Sequence, residues 1–121
     1  MAVILIVEDD ALICELVGVM IQDWGCQVLS TGDVEEALAF LRSPQQIDAL
    51  FTDINLKKAV FGGCDLAHLA IKLRPTLRVL YTTGNSVSRE LRSRFVKGAD
   101  CLRKPYMDHQ LKRSIENLRA A

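Results

Sequence analysis

The run Leu50-Phe51-Thr52 stops on a carboxylate, Asp53, and Asn55 follows two residues later. Three other runs stop on polar groups in the same way. Val3 to Val7 runs into Glu8-Asp9-Asp10, Leu77 to Tyr81 into Thr82-Thr83, and the short run after Gly98 into Lys104-Pro105. Carboxylates, a hydroxyl and an ammonium, each at a strand end, are the groups that phosphoryl transfer to an aspartate needs. Asp53 is the nucleophile in that chemistry. Glu8, Asp9 and Asp53 repel one another unless a hard, oxygen-liganded cation joins them, and Mg²⁺ favours such a mixture of carboxylates, waters and phosphate oxygens. Lys104 supplies a point charge for a phosphoryl oxygen. Thr83 supplies a hydroxyl donor, and Gly84 leaves room for the incoming group. Catalysis of this kind is positioning and charge neutralisation.

Taken singly, each signal has a plainer reading. Glu8 and Asp9 read as caps or turn residues, Asp10 as an N-cap, Thr83 as a turn residue and Lys104 as a surface lysine. Four such signals at four different strand ends, in this order, carry the argument, because in a parallel sheet those ends share one edge.

The elements that would bring them together are legible in the hydrophobic pattern. Val3-Ile4-Leu5-Ile6-Val7 is continuously apolar, as in a strand buried on both faces. Leu12, Ile13, Leu16, Val17, Met20 and Trp24 recur at helical spacing and predict a helix over 11–23, ended by Gly25. Residues 26–29 read as a second strand. Asp33 with Glu36 is a capping-box-like start to a helix that stops before Pro44. A third strand spans 48–52, and a third helix runs through Leu66, Leu69, Ala70 and Leu73 to Arg74-Pro75. A fourth strand spans 77–81, a weaker helix 87–96, a short fifth strand lies in 98–103, and a last helix covers 108–119. Five strands alternating with five helices predict a parallel sheet covered on both faces, with function gathered outside the carboxyl ends of the strands.

Composition sets outer limits. The chain has 121 residues, half of them hydrophobic, and suits one domain over 1–121 with no output domain. No run approaches the roughly 20 apolar residues of a membrane span, and no signal peptide is read. Cys14, Cys26, Cys64 and Cys101 show no metal spacing and read as reduced thiols of a cytoplasmic protein. Net charge is zero, but residues 1–56 hold ten acids and one base, whereas residues 57–121 hold fourteen bases and five acids. The bases lie at helical positions without interleaved aromatics, which favours a solvated or protein-docking face over nucleic-acid binding.

Across essentially its whole length the sequence resembles the receiver domain of two-component response regulators. The motifs are Ile6-Val7-Glu8-Asp9-Asp10, Thr52-Asp53-Ile54-Asn55-Leu56, Tyr81-Thr82-Thr83-Gly84, and Gly98-Ala99 leading to Lys104-Pro105-Tyr106. Asp53 stands 30 residues before Thr83 and 51 before Lys104. The resemblance implies a flavodoxin-like doubly wound sheet in the order 2-1-3-4-5. It implies that Asp53 accepts a phosphoryl group from a sensor histidine kinase or a histidine phosphotransfer protein. Asp9 would ligate Mg²⁺ directly, Glu8 through water, and Asn55 through its backbone carbonyl. Thr83 would move onto the phosphoryl group and Lys104 would pair with it, with a cis bond before Pro105. A downstream protein would dock on helix 4, strand 5 and helix 5, and the chain would be a monomer or weak dimer with no turnover beyond its own phosphorylation and dephosphorylation.

Two departures stand out. The family has an aromatic switch residue three positions before the lysine, where this chain has Cys101. The loop Lys57-Lys58-Ala59-Val60-Phe61-Gly62-Gly63 is longer than usual and lacks the usual proline at position 57; Lys57 or Lys58 either leans toward the acidic cleft or sits in an exposed loop. Asn55 and Asn85 flank the aspartate and the threonine and are read as influencing phosphate lifetime. Two other readings stand beside the receiver: a Mg²⁺-dependent aspartyl phosphatase or phosphotransferase, and a degenerate receiver acting as a phosphorylation-independent interaction module.

Overall fold

The computed structural model describes residues 1–56 and 62–119. Ten elements alternate among them: β1 (Val3–Val7), α1 (Ala11–Asp23), β2 (Gln27–Thr31), α2 (Val34–Arg42), β3 (Ala49–Asp53), α3 (Gly62–Leu73), β4 (Arg78–Thr83), α4 (Arg89–Arg92), β5 (Asp100–Arg103) and α5 (Asp108–Arg119). The strands form one parallel sheet in the order β2-β1-β3-β4-β5. This is the flavodoxin-like, doubly wound order, with β1 and β3 as central neighbours.

Alternation along the strands divides the interior into two cores. Leu5, Val7, Leu50, Val79 and Tyr81 point to one face, where they meet Leu38 and Leu41 of α2 and Leu66 and Ala70 of α3. Ile4, Ile6, Ala49, Phe51 and Leu80 point to the other, against Val17 and Ile21 of α1 and Leu111 and Ile115 of α5. Burial on both faces explains why β1 and β3 are buried at every position. Each large aliphatic side chain placed this way contributes roughly 1.5–3 kcal/mol. Asp10 caps α1, its carboxylate accepting from the N–H groups of Leu12 and Ile13. Asp33 caps α2 through the Glu35 N–H, but its own N–H goes to Thr31 Oγ1 at 3.0 Å rather than closing the expected box with Glu36. No helix among the described residues is long and apolar enough to cross a membrane.

β2 and β3 are shifted by a residue or two from the sequence expectation, and two differences bear on the site. Thr82 and Thr83 do not follow β4; they are its last two residues. The ladder continues there because Ile54 N–H donates to Thr82 O at 2.9 Å and Lys104 N–H to Thr83 O at 2.7 Å. The expected ten-residue fourth helix is a single turn, Arg89–Arg92. Beyond it, side chains take the backbone groups that a longer helix would use. Ser93 Oγ donates to Glu90 O, His68 Nε2 lies 2.8 Å from Arg94 O, and the Val96 N–H donates to Tyr81 Oη.

At the opposite edge of the sheet, Asp48 holds three strand starts together. Its Oδ2 accepts from Gln46 Nε2 at 2.8 Å and from Val3 N–H at 2.7 Å, while its own N–H donates to Val3 O and its carbonyl accepts from Arg78 N–H. The Gln46 and Val3 donors hold this carboxyl below its usual value. A depressed folded pKa contributes stability that is full above the unfolded value near 3.8 and is lost as pH falls through the folded value. Asp48→Ala is therefore expected to lower Tm by about 3–6 °C at neutral pH. The gap should narrow below pH 3; a gap independent of pH in melting curves would contradict this account.

Candidate functional site

The carboxyl edge of the sheet collects Glu8 and Asp9 after β1, Asp53 at the end of β3, Thr83 at the end of β4 and Lys104 after β5. One carboxylate oxygen each from Glu8, Asp9 and Asp53 lies within 4.8 Å of the others. Glu8 and Asp53 are buried and Asp9 is half-buried. Lys104 Nζ lies between two of these acids, 2.7 Å from Glu8 Oε1 and 3.1 Å from Asp53 Oδ2. The second oxygens are also held: Glu8 Oε2 accepts from Asp10 N–H at 3.3 Å, and Asp53 Oδ1 from Asn55 N–H at 3.2 Å.

The electrostatics follow from burial. Desolvation pushes the Glu8 carboxyl above its usual value against the pull of Lys104, with the Asp53 charge adding to the rise. Burial works to lower Lys104, but its bonds to Glu8 and Asp53 outweigh it, so the ammonium titrates above its usual value. When ionised, three carboxylates and one ammonium leave a local excess of two negative charges. All the donors are hard oxygens, so the set fits one divalent cation such as Mg²⁺.

The remaining expected residues are placed as follows. Thr83 is fully buried, and its Oγ1 accepts the Asn85 N–H at 3.1 Å. Asn55 and Asn85 are both exposed. A Cβ on Gly84 would meet no protein atom within 4 Å, so the edge is open there. The Lys104–Pro105 bond is cis, as the resemblance implies. Lys57 and Lys58 lie outside the described residues. Cys101 is half-buried, and burial pushes its thiol up to about 11; all four cysteines are free.

Sequence reasoning missed two glycines that shape the site. A Cβ on Gly63 would collide with the Asp53 carbonyl oxygen and sit 2.8 Å from Ile54 Cα. A Cβ on Gly32, in the turn after β2, would press on Glu8 O at 3.2 Å and Asp9 Cα at 3.3 Å. Both backbones close directly on the acidic strand ends. Their only sequence signal was a glycine bordering a predicted loop, which is too common to single them out.

The sequence matches the family model of the response regulator receiver domain over residues 4–116. This chain belongs to the response regulator receiver family. Solved receivers overlay closely. A response regulator receiver protein from Sinorhizobium medicae WSM419 shares 26% identity at a TM-score of 0.89, covering 99% of this chain and 95% of that one. A receiver domain protein from Clostridium thermocellum shares 27% at 0.84, covering 98% and 94%. A CheY-like receiver from Methanospirillum hungatei JF-1 shares 26% at 0.84, covering 99% and 95%. Receivers are signalling modules of two-component systems, whose general chemistry is phosphoryl transfer and whose partners are histidine kinases and downstream effectors.

Proposed function

We propose that this receiver is a phosphoacceptor switch in which Asp53 takes a phosphoryl group from a phosphohistidine on a sensor kinase or a phosphotransfer protein. The observation that supports it most is the environment of the Asp53 carboxylate. One oxygen is fixed by a backbone N–H, the other faces an ammonium, and two further acids complete a hard-oxygen cluster. A carboxylate oxygen of Asp53 attacks phosphorus, the phosphorus–nitrogen bond of the donor breaks, and its electron pair leaves with the imidazole. Asp9, Asp53 and the Asn55 carbonyl would hold Mg²⁺ directly and Glu8 through water. Bound there, it would neutralise charge on the transferring group.

The chain's own groups do the rest. Lys104 passes from Asp53 Oδ2 to a phosphoryl oxygen while Glu8 keeps its ammonium in place. Thr83 donates its hydroxyl to another phosphoryl oxygen, giving up the bond from Asn85. Arg89 and Arg92 of α4, with Arg94 and Lys97 in the segment after it, make this region basic, which fits a protein-docking face formed by α4, β5 and α5. Cytoplasmic location and action without turnover of an external substrate go with this reading.

The test is incubation of the full chain with a small acyl phosphate, with and without Mg²⁺, followed by intact mass and peptide mapping. One phosphoryl group on Asp53, dependent on the cation, is the expected result. No adduct, or one elsewhere, would favour the interaction module. The phosphorylated protein also tests the exposed amides. Asn55→Ala and Asn85→Ala are each expected to change phosphate loss by about threefold or more through the orientation of the hydrolytic water. Unchanged decay in both would remove that role.

A further inference from the structure

Residues 85–96 form a strap across one face of the sheet, and both of its ends are pegged to the same strand. At the leading end, the Asn85 N–H donates to Thr83 Oγ1 at 3.1 Å. At the trailing end, the Val96 N–H donates to Tyr81 Oη at 3.1 Å, in a buried bond. Tyr81 and Thr83 are two residues apart on β4, so their side chains leave the sheet on the same face. Both are fully buried.

The trailing peg is reinforced. The Tyr81 ring packs on Phe95 with centroids 4.5 Å apart, and the Arg92 guanidinium stands 5.9 Å from the Phe95 centroid. His68 of α3 meets the Arg94 carbonyl, its Nε2 2.8 Å away. Among the described residues the leading peg has no such support, and it belongs to the phosphoryl site. Cys101 is the register partner of Tyr81 on β5 and brings no ring to this face. The aromatic group beneath the strap is thus on β4, one strand over from where the family has it.

We propose that Tyr81 is the fixed pivot of the switch in this receiver: when Thr83 lets go of Asn85 for the phosphoryl group, the strap swings about the Tyr81–Val96 bond, and residue 101 takes no part. The inference rests on Asp53 as the phosphoacceptor. It confines the response to the leading end, Asn85 through α4, and leaves Val96 where it was. Burial pushes the Tyr81 hydroxyl up to about 12, so it stays protonated and the peg is insensitive to pH in the neutral range.

Amide hydrogen exchange on the full chain reads both pegs directly. In the unphosphorylated protein, Tyr81→Phe keeps the ring and removes only the acceptor, and Val96 exchange is expected to rise about tenfold or more. On phosphorylation of the wild type, Asn85 should lose protection while Val96 keeps it. In Tyr81→Phe both should be unprotected. Cys101→Ala should leave both amides as in the wild type. Val96 exchange unchanged by Tyr81→Phe, Val96 protection lost on wild-type phosphorylation, or a strap altered by Cys101→Ala would each overturn the pivot. Faster Val96 exchange in Tyr81→Phe with no adduct on Asp53 would keep the peg but overturn its role in switching. A melting curve within a few degrees of wild type verifies that Tyr81→Phe is folded.

Discussion

Asp53→Asn is expected to take up phosphoryl groups at least about 100-fold more slowly than the wild type. The substitution keeps the size and planarity of the side chain, and the amide oxygen can still accept the Asn55 N–H. It removes the anionic nucleophile, and a neutral amide oxygen is a poor substitute for it. Two further results separate this cause from misfolding. Lys104 retains Glu8 at 2.7 Å, so the fold should persist. With Asp53 neutral, the local excess falls from two negative charges to one, and repulsion among the acids is relieved. Tm without divalent cation should therefore stay level or rise, while the Tm increase on adding Mg²⁺ should shrink, because stabilisation by a bound ion follows its affinity for the folded state. Uptake at the wild-type rate, with the same cation response, would place the acceptor elsewhere.

Gly63→Ala is expected to destabilise the protein by about 3 kcal/mol or more, a Tm drop of roughly 10 °C. The reason is backbone against backbone. The new methyl would fall on the Asp53 carbonyl oxygen and 2.8 Å from Ile54 Cα, and neither can swing aside as a side chain does. The Gly63 N–H also donates to Ile54 O at 3.0 Å, so moving α3 away costs that bond as well. Any relief must displace the backbone that carries the Asp53 carboxylate, and phosphoryl uptake should fall together with stability. Gly84→Ala is the matched control for stability. Its methyl meets no protein atom within 4 Å, and its effect on Tm should stay within a few degrees. Equal melting curves for Gly63→Ala and wild type would mean that α3 does not seat on Asp53 as described.

The sequence by itself determined the alternation and the chemistry at the strand ends. A strand covered on both faces must be apolar throughout, so Val3 to Val7 announced itself and Glu8-Asp9 marked where it stops. The same logic exposed Asp53 as a carboxylate closing a buried run. Helix starts were legible where a carboxylate caps its own next residues, as at Asp10, because that bond is local.

Local rules failed where the deciding partner was far along the chain. The fourth helix carries helical spacing, yet it stops after one turn because His68 and Tyr81, on α3 and β4, take the groups of Arg94 and Val96. Thr82 and Thr83 read as residues just past the fourth strand, yet the neighbouring backbones at Ile54 and Lys104 hold them in the ladder. No spacing in the sequence states that one ammonium will serve both Glu8 and Asp53, which are 96 and 51 residues away from it. The acids and the lysine were present in the sequence as groups at strand ends. Strand register and the close seat of α3 on Asp53 turned them into one buried, charge-coupled site, because only packing between distant elements sets the ångström distances on which such coupling depends.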